Sequence, residues 1–235
     1  MTNDILKRWK WRRDDHVRLR RPFGGAALLE RNYSQAWQDI WVLQTLNGLR
    51  RGTYLEVGAN HPTFNNNSFL LGSVYEWRGV SLEYSPSHLP DWATHRPDDT
   101  LICADALTLD YLALIQGSFG LTCERIDYLQ LDIDPSINTL EVLRRMPLDR
   151  VRFSTITFET DAYTGDLRAR SESRELLMAH GYQLAVADVL VDYAAISDAP
   201  IPFEDWWIDS KLVAELGLTK ENIGSSCKPQ EVLFW

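Results

Sequence analysis

The stretch Tyr54-Leu55-Glu56-Val57-Gly58-Ala59-Asn60 limits the possible folds more than any other part of the chain. Thr53 to Val57 is β-rich and half apolar, and it reads as a short buried strand. Gly58 then permits a backbone conformation closed to other residues, while Ala59 keeps the next side chain clear of a ligand. A helical pattern resumes over Phe69 to Trp77, after a polar loop at 61–68. A helix placed there aims its free N–H groups back at the loop. Two readings are open on these residues: a turn that admits a nucleotide-like cofactor, or a strand that simply ends in glycine.

The pattern of strand, loop and helix then repeats. Strands are predicted at Gly79–Glu83, Thr100–Cys103, Ile126–Ile133, Val151–Phe158 and Tyr182–Val191. Helices are predicted at Leu107–Ile115, at Ser136–Met146 with Ile137, Leu140, Leu143 and Met146 inward, and at Ser171–His180. Gly181 ends the last of these, with Arg174 and Glu175 on its outer side. Upstream, Ser34 is a plausible N-cap for a helix carrying Trp37, Ile40, Trp41 and Gln44 and ending near Asn47-Gly48. A short helix over Ile208–Leu216 is expected after the acidic aromatic patch Phe203–Trp207. Its two tryptophans suit a core or a substrate wall better than a nucleic-acid platform, since few basic residues surround them. The alternation predicts a doubly wound α/β fold with a mostly parallel sheet.

At 235 residues the chain is long enough for one such domain. The expected division is a basic N-terminal arm at 1–32, a Rossmann-like domain at 33–220 and a C-terminal tail at 221–235. Hydrophobic residues make up 45% and charged residues 24%, which argues against disorder. No apolar run reaches membrane-spanning length and the charged start lacks a signal-peptide core, so a cytoplasmic protein is expected. Cys103, Cys123 and Cys227 are odd in number and widely spaced, which suggests neither a disulfide framework nor a zinc site.

The net charge of −9 hides an asymmetry. Residues 1–21 carry eight Lys or Arg against three Asp, with Trp9 and Trp11 interleaved. Such an arm can reach a polyanion, or dock on the acidic body or a second subunit; the acidic body favours docking over nucleic acid. The apolar end Glu231-Val232-Leu233-Phe234-Trp235 also needs a surface to pack on, in this chain or in a homo-oligomer.

Acids gather where the strands end. Glu83 lies twenty-five residues past Gly58, where doubly wound folds place an acceptor for ribose hydroxyls, and Tyr84 follows it. Asp105, with Ala106 beside it, either accepts from a purine amine or caps the next helix. Asp132 and Asp134 fall two apart at the end of the fourth strand, on one side of the pleat if the strand runs that far. Glu159 and Asp161 end the fifth. Four carboxylates on one sheet edge can hold a divalent cation, serve as a base, or remain solvated loop acids. His61 is a spare candidate base. The first loop lacks a P-loop lysine and no Gly-x-Ser-x-Gly occurs. With Gly58 its only glycine before position 72, it suits a cofactor without phosphates.

Taken in order, Glu56-Val57-Gly58-Ala59-Asn60, Gly79 to Pro86, Leu131-Asp132-Ile133-Asp134 with Leu140-Glu141-Val142-Leu143, and Ile156-Thr157-Phe158-Glu159 resemble the motifs of FkbM-type S-adenosylmethionine-dependent methyltransferases. The upstream Tyr33-Ser34-Gln35 with Gln38-Asp39 is similar to a lead-in common in that family. The resemblance covers about Tyr33 to Val191. It implies a class I, seven-stranded sheet with helices on both faces. It also implies that Glu56, Gly58, Ala59 and Asn60 surround the methionine end of S-adenosylmethionine, Glu83 and Tyr84 the ribose, Asp105 and Ala106 the adenine, and that Asp132 faces the acceptor. That acceptor would be a hydroxyl of a small molecule or glycan. The carboxylates are also similar to those of macrocin-type sugar O-methyltransferases, which use magnesium; Asp132, Asp134, Glu159 and Asp161 would be its ligands, or Asp132, Asp161 and Glu159 would share the base role. Where relatives often carry His between the fifth-strand acids, this chain has Thr160. The alternatives from other classes are a nicotinamide-dependent oxidoreductase and a non-catalytic binding module with the same fold.

Overall fold

The computed structural model describes residues 10–215 and 225–235. Lys7, Arg8 and Trp9 of the basic arm, and the stretch 216–224, lie outside the described residues. Seven strands are present: β1 (Thr53–Val57), β2 (Arg78–Glu83), β3 (Thr100–Cys103), β4 (Arg125–Leu131), β5 (Arg152–Glu159), β6 (Tyr182–Val191) and β7 (Ile201–Asp209). The α-helices are α1 (Gln38–Thr45), α2 (Phe69–Tyr75), α3 (Leu89–His95), α4 (Tyr111–Phe119), α5 (Ser136–Arg145), α6 (Arg168–Ala179), α7 (Ser210–Glu215) and α8 (Pro229–Leu233).

The strands form one sheet in the order β3-β2-β1-β4-β5-β7-β6. β1 to β5 are parallel, and β7 runs antiparallel between β5 and β6. The order reverses at β1 and β4, so the crevice outside their carboxyl ends is the topological switch point, where ligands of such sheets bind.

Both faces of the sheet are covered, as a parallel sheet requires. Period-2 alternation in β1 sends Tyr54 to one core and Leu55 and Val57 to the other. The first core lies under α1 and α2, where Trp41 stacks on Trp206 with centroids 4.8 Å apart. The second lies under α4, α5 and α6 and holds Leu129, Ile156, Leu140, Leu177 and Trp207. α5 forms as expected, with Leu140 and Leu143 fully buried at helical spacing and Arg144 and Arg145 in its last turn, where cations suit the helix dipole. α6 closes on Gly181, whose φ of 76° is open to glycine at little cost.

The arm docks on the body. Trp11 is buried, donates its indole N–H to Leu29 O, and packs 6.1 Å from Phe234 and 6.4 Å from Trp37. Leu19 bridges to Phe234, and the Arg20 amide donates to Leu233 O. The apolar chain end is therefore buried within the same chain through Leu233 and Phe234, although Trp235 stays exposed.

Several local expectations need correction. α1 starts at Gln38, not after Ser34, because the Asp39 carboxylate accepts the amides of Tyr33 and Ser34 and the Ser34 hydroxyl, folding that segment into a turn. α4 starts at Tyr111 because Asp105 caps only a single short turn and Asp110 caps the true helix through Ala113 N. The patch 203–207 belongs to β7, which runs on through Asp209, so the helix expected from Ile208 starts at Ser210; Trp206 and Trp207 lie in the core as expected. Arg174 does not face outward: it spans Asp188 and Asp205 at 3.0 and 2.7 Å.

Candidate functional site

The carboxyl ends of β1, β2, β4 and β5 open onto a cavity of about 700 Å³. Its position follows from Gly58, whose φ is +86°, with the Asp132 carbonyl packed against its α-carbon and the Asp132 amide donating to Val57 O. The glycine thus serves the close approach of the β4 end as well as the turn.

Six carboxylates line the cavity: Glu56, Glu83, Asp105, Asp132, Asp134 and Glu159. Among the described residues no Lys, Arg or His lines it. At one end, Glu83 accepts the amides of Asn60 and Ser85, each at 2.7 Å, which fixes its carboxylate at the end of β2 beside Tyr84. Asp105 caps Leu107 N at 2.9 Å and lines the cavity with Ala106, so its two candidate roles coexist. Ala59 does not line it; the residue is buried and its amide is held by Leu82 O.

Glu56 is buried in the middle of the wall. It accepts from Ser68 Oγ at 2.7 Å, Ser81 Oγ at 2.8 Å and Asn67 N at 3.2 Å. Behind it, the buried guanidinium of Arg96 donates to Tyr54 Oη, Asn66 Oδ1 and Ser68 Oγ and pairs with Asp99. Burial opposes the charge of Arg96, but Tyr54, Glu56 and Asp99 outweigh it and raise its pKa. This network folds loop 61–68 against the cavity. Sequence reading missed Arg96; its only local signal is Asp99 three residues on. It also missed Asn67, a lining residue whose buried side-chain oxygen has no hydrogen-bond partner among the described residues.

At the other end, Asp132 and Glu159 meet across β4 and β5. Two carboxyls can hydrogen-bond only by sharing a proton. Burial, then the repulsion of Asp132, raises Glu159 well above the ordinary carboxyl range; burial also raises Asp132, while the hydrogen bond from Glu159 works the other way. The pair therefore shares a proton, and both carboxyls line the cavity. Glu204, paired in register with Glu159, is completely enclosed; burial pushes its pKa up to about 8, against hydrogen bonds from Trp206 and Gln38. Tyr163, Tyr193 and Phe203 complete this end, none of them singled out from the sequence.

Two expectations fail geometrically. His61 does not line the cavity: its Nδ1 accepts the amides of Thr63 and Phe64, and its Nε2 faces Asp91 at 3.9 Å. The four acids also do not form a magnesium site. Among the described residues no group of three or more His, Cys, Asp or Glu is placed to hold a metal ion. β4 ends at Leu131, so Asp132 and Asp134 leave the pleat that would have kept them on one side. Asp161 turns back, with φ of 49°, to accept the Ser136 amide at 3.0 Å, and it is not among the lining residues.

Solved structures share this architecture. An O-methyltransferase from Bacillus cereus in complex with SAH aligns with 75% of this chain and 82% of its own, at 18% identity and a TM-score of 0.50. Cofactor-bound Rv0187 from MTB aligns with 76% of this chain and 82% of its own, at 17% identity and a TM-score of 0.50. The fold is that of the class I methyltransferases. The methyltransferase fold places the acid-lined cavity where its sheet order reverses. No family model matches the chain, and no curated protein matches it. Among the described residues no helix is long and apolar enough to cross a membrane.

Proposed function

We propose that the protein is an S-adenosylmethionine-dependent O-methyltransferase acting on a hydroxyl of a small molecule, such as a sugar or natural product. The observation that carries this reading is the charge of the cavity: among the described residues, six carboxylates and no basic side chain line it at the switch point of the sheet. A dinucleotide brings a pyrophosphate, which such a wall repels. An adenosyl sulfonium brings no phosphate and a net positive charge, which it attracts. The Bacillus cereus structure, with SAH bound on the same fold, supports the choice. The ordered motifs from Glu56 to Glu159 support kinship with the FkbM-type enzymes.

In this reading Glu83 takes the ribose hydroxyls, Asp105 the adenine amine, and the wall of Glu56 and Asn67 the amino-acid end. The buried Asn67 oxygen, which lacks a donor among the described residues, suits an ammonium group. The cofactor supplies an electrophilic methyl carbon on sulfur. Transfer forms the C–O bond as the C–S bond breaks, and the acceptor hydroxyl loses its proton. We assign the uptake of that proton to Asp132, which lines the cavity and shares a hydrogen bond with Glu159. Tyr163, Tyr193 and Phe203 form the wall against which the acceptor is oriented. As the side chains stand they do not gather a metal, and no step is assigned to one.

The test is transfer of an isotopically labelled methyl group to a panel of hydroxylated sugars and natural products, with mass spectrometry of the products. Label on an acceptor oxygen supports the proposal. A protein that binds S-adenosylhomocysteine but methylates nothing across such a panel and in a metabolite extract is the binding module instead.

A further inference from the structure

A second, smaller cavity of about 100 Å³ adjoins the first, and the two share Gln35 and Phe64 in their walls. Its charge is the opposite. It is lined by Lys10, Arg31 and Lys228, with Asp192 as its one acid. Lys228 and Asp192 neutralise each other, Nζ lying 2.8 Å from the carboxylate. Lys10 and Arg31 make no ion pair among the described residues, and Arg31 is held by its cation–π contact with the Tyr33 ring at 4.4 Å. Two uncompensated cations thus sit beside a cavity walled by carboxylates, on a chain of net charge −9. Both belong to the basic arm, and the hydrogen bonds from Trp11 to Leu29 and Asn32 hold the segment of Lys10 beside that of Arg31.

We infer that this basic cavity is a subsite for an anionic group, a carboxylate or phosphate, carried by the methyl acceptor. This rests on the proposed methyl transfer. The volume admits one such group and not a polyanion, so the arm serves a small acidic acceptor and not nucleic acid. The opposed charges give each ligand one home: a cationic donor is repelled by Lys10 and Arg31, and an acidic acceptor is repelled by the six carboxylates. The shared Gln35 and Phe64 join the basic cavity to the acid-lined one in which Asp132 and Glu159 stand.

Calorimetry on the full chain separates this inference from the function it rests on. Titration with S-adenosylhomocysteine comes first; no binding there sinks the methyltransferase reading itself. The S-adenosylhomocysteine complex is then titrated with inorganic phosphate and, separately, with acetate, which distinguishes the two anion types. Saturable binding of at least one is expected, weakened at least tenfold in Lys10→Gln/Arg31→Gln and by high salt. The variant should keep its melting temperature and its affinity for S-adenosylhomocysteine. Absence of anion binding to the wild-type complex, or equal binding in the variant, overturns the inference and leaves the cofactor assignment standing.

Discussion

A Cβ added to Gly58 would fall 1.7 Å from the carbonyl oxygen of Asp132. The contact is with backbone, so no rotamer change relieves it, and the φ of +86° is itself unfavourable for any other residue. Gly58→Ala should cost roughly 2 to 3 kcal/mol, the range for overpacking a tight site. It should also weaken S-adenosylhomocysteine binding by moving the end of β4. Urea denaturation and calorimetry check both; unchanged stability would mean that the two segments part freely.

Arg96 ties β1, loop 61–68 and Asp99 together from a buried position. Arg96→Met leaves Asp99 without its partner and removes one donor each from Tyr54 Oη, Asn66 Oδ1 and Ser68 Oγ. The expected loss is about 3 kcal/mol or more, as for other half-removed buried pairs. Arg96→Lys recovers only part of it, since an ammonium cannot reproduce the guanidinium fork. Thermal melts of the two variants check the order.

The enclosed carboxyl of Glu204 gives stability a pH signature. Its pKa rises from 4.5 to about 8 on folding. The native state then holds a proton that the unfolded chain has released. The resulting stabilisation is complete below the unfolded value and is lost as pH rises through about 8. Glu159, raised for the same first reason, acts in the same direction. Glu204→Gln should flatten the decline in stability with pH over this window, read from denaturation midpoints at several pH values.

Asp132→Asn should lower kcat by about 10² to 10⁴, the contribution typical of a general base, with S-adenosylhomocysteine affinity within about tenfold of wild type. Glu159→Gln keeps a hydrogen-bond donor to Asp132 and should be milder, with a shifted pH profile. If Asp132→Asn turns over normally, the base lies elsewhere.

Much of this site was legible in the sequence because the strands end on the residues that matter. Thr53–Val57 and the Gly58 turn, Glu83 at the end of β2 and Glu159 at the end of β5 are local signals, and they stand where expected. What was not legible depends on contacts across the chain. β7 was hidden because Glu204, Asp205 and Asp209 interrupt its apolar pattern. These acids are buried beside partners from distant segments, Gln38 for the first, Arg174 for the second and Arg152 for the third. His61 looked available as a base until its ring nitrogen proved to be held by its own loop. The four-acid cluster assumed a strand that continues through Asp134, but β4 stops at Leu131.

The account stands on the cavity taking an adenosyl ligand without phosphates, and side-by-side calorimetric titration of the full chain with S-adenosylhomocysteine and with NAD⁺ tests this most directly. The predicted result is one-to-one binding of S-adenosylhomocysteine, weakened at least tenfold by Glu83→Ala, with no heat from NAD⁺. Binding of NAD⁺ in its place, or of neither, would contradict it.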